Sequence, residues 1–123
     1  MSTDPRNNRI DYVEFPAANS AGLGLAKAFY GNVFGWQYQD WGPEYADTPS
    51  SGVASGISVS VERQSKPLPV IYSHDLESHR ASVIAAGAHL SKDIFSFPGG
   101  RRFQFIDPAG NEVAIWSDKL SDQ

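Results

Sequence analysis

Apolar and polar positions first alternate in "RIDYVEFP", where Val13 and Phe15 interleave with Tyr12 and Glu14. That two-residue period belongs to a strand with one buried face. Pro16 is expected to end it. Asn19 or Ser20 is placed to cap a helix, and there the period changes. Leu25, Phe29 and Val33 form one i, i+4 row, and Ala26, Tyr30 and Phe34 form its neighbour. The first row is expected to pack the helix onto a sheet. Gly22 and Gly24 predict an irregular first turn. Gly35 predicts the stop, and the sharp turn there sets Trp36 off the helix face, at the rim of any cavity. "WQYQDWG", "PEYADTP" and "SGVASGISVSVE" read as three strands, the last with glycines that suit a bulge or a close backbone approach. "RQSKP" reads as a linker.

The pattern then restarts. "LPVIYS" reads as a strand and "DLESHRASVIAAGA" as a helix capped by Asp75, with a face on Leu76, Val83 and Ile84 and with Gly87 near its end. "HLSKDIFSF", "RRFQFI" and "EVAIWS" read as strands. They are separated by "PGG" and by "DPAGN", whose Asp-Pro and Gly-Asn pairs suit a tight turn. Each half therefore reads β-α-β-β-β, over about residues 9–64 and about 67–118 of one domain spanning 1–123, as in a duplicated supersecondary unit. Neither half can bury its helix and sheet alone.

Length and charge narrow the function classes. The chain has 123 residues, no cysteine, ten Lys plus Arg and a formal charge of −4. One ordinary domain with a real core fits that length. The lack of cysteine excludes disulfide frameworks, thiolate metal sites and thiol nucleophiles, and it fits a cytoplasmic setting. The charge argues against a grip on nucleic-acid backbones. No apolar run approaches the roughly 20 residues of a membrane span, and "MSTDPRNNR" has no leader-like core. No GxSxG, GxGxxG or GxxxxGK[ST] motif occurs.

The duplicated order, carried by "YVEFPAAN", "FYGNVFGW", "VIYSHDLE" and "FIDPAGNEVAIWS", resembles the vicinal oxygen chelate superfamily of glyoxalases, bleomycin-resistance proteins and extradiol dioxygenases. The resemblance runs from Ile10 to Ser117. It implies an α+β fold in which two βαβββ modules form a curved, mixed-sheet cup, and a homodimer in which exposed edges and apolar surface are covered. Many members of that superfamily hold a divalent metal through four side chains, one on the first and one on the last strand of each half. Here the matching positions are Tyr12, Pro69 and Ala114, and "GVASGISVS" offers no carboxylate or imidazole, Glu62 coming later. The expectation is therefore a protein with no metal and no cofactor.

Glu14 shares a strand face with Tyr12, the cavity face of the family. A carboxylate among aromatics would have a raised pKa and could act as a general base, or it could pair with an arginine. Tyr12, Trp36, Trp41, Tyr45 and Trp116 outnumber what a small core needs, and they suit a pocket for a flat ligand. Ile71 and Ser73 are expected to point into it. One of Arg101 and Arg102 should also face inward, since successive strand residues alternate; Arg101 is taken as the ligand-facing one. His74, His79 and His89 match no ligand position and read as surface residues. The leading expectation is a small-molecule-binding protein of the bleomycin-resistance kind. The alternative is a glyoxalase-like lyase or isomerase, with atypical metal ligands or with Glu14 as base.

Overall fold

A computed structural model describes residues 4–60 and 66–119. Glu62 and Arg63–Ser65 of the expected linker lie outside the described residues. The chain divides into two compact units, Tyr12–Leu68 and a second made of Met1–Asp11 with Pro69–Gln123. The order is β1 (Ile10–Ala17), α1 (Ser20–Phe34), β2 (Gln39–Asp40), β3 (Tyr45–Thr48), β4 (Ala54–Val59), β5 (Leu68–Tyr72), α2 (Leu76–Ala85), β6 (His89–Phe97), β7 (Gly100–Ile106) and β8 (Glu112–Ser117). The β-α-β-β-β pattern thus occurs twice.

In the first unit the strands lie in the order β2-β3-β4-β1. β1 runs parallel to β4, which pairs antiparallel with β3, and β3 with β2. The second unit repeats this as β6-β7-β8-β5, with β5 parallel to β8 and the rest antiparallel. A mixed sheet with one crossover helix follows directly, because parallel neighbours need a long connection. Pro16 does not end β1. Its fixed φ suits extended backbone, and the Ala17 carbonyl beyond it still accepts from the Ser60 amide at 2.8 Å.

α1 is regular from Ser20 despite its two early glycines, because the Asn19 side chain accepts from the Gly22 amide at 2.8 Å. It ends at Gly35, in the left-handed region at φ 76°, where the glycine amide bonds back to the Gly31 carbonyl. Its packing face differs from expectation. Leu23 is buried, and Ala26 and Tyr30, three and seven residues on, join it against Phe15, Ala17, Ala46, Ile57 and Val59. The row Leu25, Phe29, Val33 is instead exposed, at 74, 55 and 56%. β2 is also shorter than "WQYQDWG" suggests, with only Gln39 and Asp40 paired.

α2 starts at its Asp75 cap, whose carboxylate accepts from the Ser78 amide at 3.1 Å. Leu76 packs with Phe103 and Ile115 in a second core, against which Ile71, Val83, Leu90, Ile94 and Phe105 are packed. Ile84 stays 45% exposed. The "DPAGN" turn is held by the Asp107 carboxylate, which accepts from the amides of Ala109 and Asn111 at 2.8 and 2.9 Å. Among the described residues no helix is long and apolar enough to cross a membrane.

Candidate functional site

Alternation along each strand divides its residues between a helix-covered face and a face turned away from the helix. In the first unit, Phe15, Ala17, Ala46, Ile57 and Val59 take the α1 side. Tyr12 and Glu14 of β1, Tyr45 and Asp47 of β3, and Gly56 of β4 therefore take the other. The register lines them up: Glu14 opposes Gly56, and Gly56 opposes Asp47.

The Tyr12 and Tyr45 hydroxyls meet in a hydrogen bond over this strand trio. Gly56 makes the meeting possible, since a Cβ there would collide with the Tyr12 hydroxyl and lie 2.8 Å from that of Tyr45. Burial pushes the Tyr12 phenol far above its usual range, and the bond to Tyr45 adds to the effect. Tyr12 therefore stays protonated. Trp41 joins the group from the loop before β3. Its indole N–H donates to Asp47 at 3.0 Å, and its ring is 63% exposed. The glycines of "SGVASGISVSVE" suggest a bulge or a close backbone approach; at Gly56 it is two tyrosine side chains that come close instead. Asp47 is not legible in the sequence, because a lone acid in a short strand carries no pattern.

The remaining expected ligand-facing residues are placed elsewhere. Trp36 is not detached from the helix; it folds back to stack on Tyr30, with ring centroids 4.9 Å apart and planes within 9°. Ile71 packs into the α2 core, and the buried Ser73 hydroxyl bonds to His79 Nδ1 at 2.6 Å. The phase of β5 is thus opposite to the one expected: Val70 and Tyr72 face away from α2, and Ile71 and Ser73 toward it. Arg101 is buried against α2 as well, with a two-point ion pair to Glu77 at 2.5 and 3.1 Å and a further bond to the Lys119 carbonyl. Arg102 takes the opposite face, donating to Gln104 at 3.0 Å and lying 5.4 Å from the Phe95 ring. His74 and His79 are half-buried rather than surface residues; His89 is exposed.

Trp116 also lies on the face away from α2, in register with Tyr72 and packed edge-on to it at 5.2 Å. Its indole N–H donates to Asp11, whose carboxyl is pushed up by burial, this bond opposing the rise. Within the second unit Trp116 is thus set among Tyr72, Phe97 and Asp11.

The donor set does not fit the metal of the glyoxalases. Ala114 is fully buried and offers no donor, and in β5 neither phase supplies an imidazole or a carboxylate. Among the described residues no three His, Asp or Glu side chains are grouped to hold an ion.

No family model matches the chain, and no curated protein matches it. Solved structures do. An NAD-dependent benzaldehyde dehydrogenase from Legionella pneumophila is 15% identical at a TM-score of 0.69, over 88% of this chain and 98% of that one. A Mn(II)-bound glyoxalase from Novosphingobium aromaticivorans is 22% identical at a TM-score of 0.67, over 94% of this chain and 40% of that one. A glyoxalase/bleomycin resistance protein/dioxygenase superfamily member from Vibrio splendidus 12B01 is 17% identical at a TM-score of 0.61, over 86% and 96%. At such identities the likeness speaks to the fold, whatever chemistry each name carries. Two βαβββ units of the same strand order, matched over most of the chain by these proteins, give this protein the vicinal oxygen chelate fold.

Proposed function

We propose that this protein binds a small, flat organic molecule without a metal, on the face of the first unit that carries Tyr12, Tyr45, Trp41, Glu14 and Asp47. The observation that carries this reading is the hydroxyl pair above Gly56. Two phenols held side by side present a donor and an acceptor to a ligand. The Trp41 ring offers a stacking surface, and the two carboxylates favour a neutral or cationic guest. The lack of an imidazole or a carboxylate at Tyr12, Pro69 and Ala114 supports binding without metal. The exposed Leu25–Phe29–Val33 row supports a working homodimer, because apolar rows of this kind mark interaction surfaces. The cysteine-free composition supports a cytoplasmic setting.

A panel of neutral and cationic heteroaromatic compounds, screened by thermal shift, tests the reading. Compounds that bind should lose about tenfold in affinity in Tyr12→Phe or Tyr45→Phe, the scale of one hydrogen bond. Hits that bind both variants unchanged would place the site elsewhere. Stoichiometric nickel, zinc, iron or manganese in the purified protein would overturn the metal-free part.

A second reading rests on the placement of Glu14. It stands one strand from Gly56 on the side opposite Asp47, so a carboxylate flanks the phenol pair on either hand. In a glyoxalase-like lyase or isomerase Glu14 would take a proton while a phenol donates to the developing oxyanion. Glu14→Gln should then abolish turnover and leave binding nearly intact; undiminished turnover in Glu14→Gln would reject the role.

A further inference from the structure

The second unit holds a cation-recognition arrangement that is separate from the site above. Arg6 lies in a turn, with the Arg9 amide bonding to its carbonyl at 3.1 Å. Its guanidinium carbon sits 3.9 Å from the centre of the Tyr72 ring and 6.0 Å from that of Trp116. Its Nη2 donates to Asp118 at 3.1 Å, and Asp118 also accepts from the Tyr72 hydroxyl at 2.7 Å. Asp4, two residues away, takes the Nε–Nη2 edge of the guanidinium at 2.7–3.2 Å, so that Nη2 serves both carboxylates. An aromatic face, a second ring edge-on to it and a carboxylate tied to the first ring's hydroxyl are the elements that recognise a guanidinium.

Most of this arrangement is built independently of Arg6. Tyr72 and Trp116 come from paired strands, and the Trp116 indole is fixed by Asp11 at 3.0 Å. The Tyr72 hydroxyl is fixed by Asp118. The backbone on the far side of Arg6 is fixed too: the Asn8 amide bonds to the Tyr72 carbonyl and the Tyr72 amide to the Arg9 carbonyl, each at 3.0 Å. The Arg6 side chain itself is 41% exposed, and Asp118 is 44% exposed. A single side chain can therefore leave the box while the strand pairing beneath it stays in place. With Arg6 in place Tyr72 is only 1% exposed.

We infer that Tyr72, Trp116 and Asp118 form a binding box for a guanidinium-bearing ligand, and that Arg6 is its resident occupant. An external guanidinium enters when the Arg6 side chain swings out. The ligand class is set by the ring face and the carboxylate together: a planar cation with in-plane donors satisfies both, whereas a compact ammonium meets the ring and carboxylate without the planar stacking.

Arg6→Ala empties the box without touching its walls, and agmatine is the probe. Nitrogen-edited spectra read the Trp116 indole N–H, assigned by its disappearance in Trp116→Phe. In Arg6→Ala this resonance should move saturably with agmatine, at an affinity about tenfold or more above that of the intact protein. Agmatine should also raise the melting temperature of Arg6→Ala and not that of the parent. Asp118→Asn in the Arg6→Ala background should remove the response, and putrescine, an ammonium of similar length, should give a weaker one. An arginine-containing tripeptide as a further arm distinguishes a free small molecule from a protein side chain as the natural source. Equal shifts in parent and Arg6→Ala, or a response that survives Asp118→Asn, would overturn the inference. Should Arg6→Ala unfold, Arg6→Gln replaces it, and failure of agmatine to restore its stability would overturn the inference equally.

Discussion

Gly56→Ala is the sharpest test of how the first unit arranges its tyrosines. Gly56 lies in β4 and is not among the glycines with positive φ, so alanine relieves the entropy cost of glycine and should gain about 0.5–1 kcal/mol. Against this, the new methyl collides with the Tyr12 hydroxyl, lies 3.0 Å from the Tyr12 ring carbon that bears it, and lies 2.8 Å from the Tyr45 hydroxyl. Displacing packed groups of that kind costs about 1–3 kcal/mol. The net expectation is destabilisation centred on about 1 kcal/mol, within a span of about 0–2.5 kcal/mol, with the hydroxyl pair pushed apart. Urea unfolding of Gly56→Ala, Tyr12→Ala and the double variant measures it, with unchanged slopes confirming that the unfolded state is the same. Removal of the Tyr12 ring takes away most of the collision, so the coupling between the two positions should be about 1 kcal/mol or more. A Gly56→Ala variant more stable than the parent, or an equal cost with and without Tyr12, would refute the reasoning.

Leu23→Ala should cost about 2–5 kcal/mol, since this side chain is 3% exposed at the centre of the α1 contact. Phe29→Ala should cost less than about 1 kcal/mol by thermal or urea unfolding of dilute protein, because Phe29 is 55% exposed. The reverse order would mean that α1 packs through its other face. Asp11→Asn keeps the acceptor for the Trp116 indole and cannot ionise. Burial raises the Asp11 carboxyl, so the folded form binds its proton more tightly than the unfolded chain does. The stability this contributes is complete below the unfolded value and is lost as pH rises through the raised folded value. Asp11→Asn should therefore melt above the parent near pH 7, with that advantage gone by about pH 3; a difference independent of pH would contradict the sign.

The order of elements is readable from the chain because turn residues punctuate it. Asn19, Gly35, Asp75 and "DPAGN" each do in the structure what their chemistry predicts. Which face each element buries is less readable, for a physical reason. α1 carries Leu23, Leu25, Ala26, Phe29, Tyr30, Val33 and Phe34 around most of its circumference, so its period marks a helix without marking a side. In β5 the sequence Leu-Pro-Val-Ile-Tyr is apolar at both phases, and nothing local says that Ile71 belongs with α2. Arg101 and Arg102 are adjacent and alike. What separates them is Glu77, 24 residues away in sequence, which draws Arg101 to the helix side. Tyr12, Tyr45 and Trp41 do gather as a candidate site, whereas Trp36 is claimed by Tyr30, a partner visible only once the chain has turned at Gly35.

The grouping of the first eleven residues with Pro69–Gln123 means that the two repeats of the sequence are not the two bodies of the protein. A gene cut in the 61–65 region would leave the C-terminal fragment without the backbone partners of Tyr72 and without the acceptor of the Trp116 indole. The missing piece would sit on the N-terminal fragment, as a short N-terminal segment ready to be donated. Such fragments should be poor at folding singly and good at finding each other, which makes the natural duplication boundary a rational place to build a split reporter.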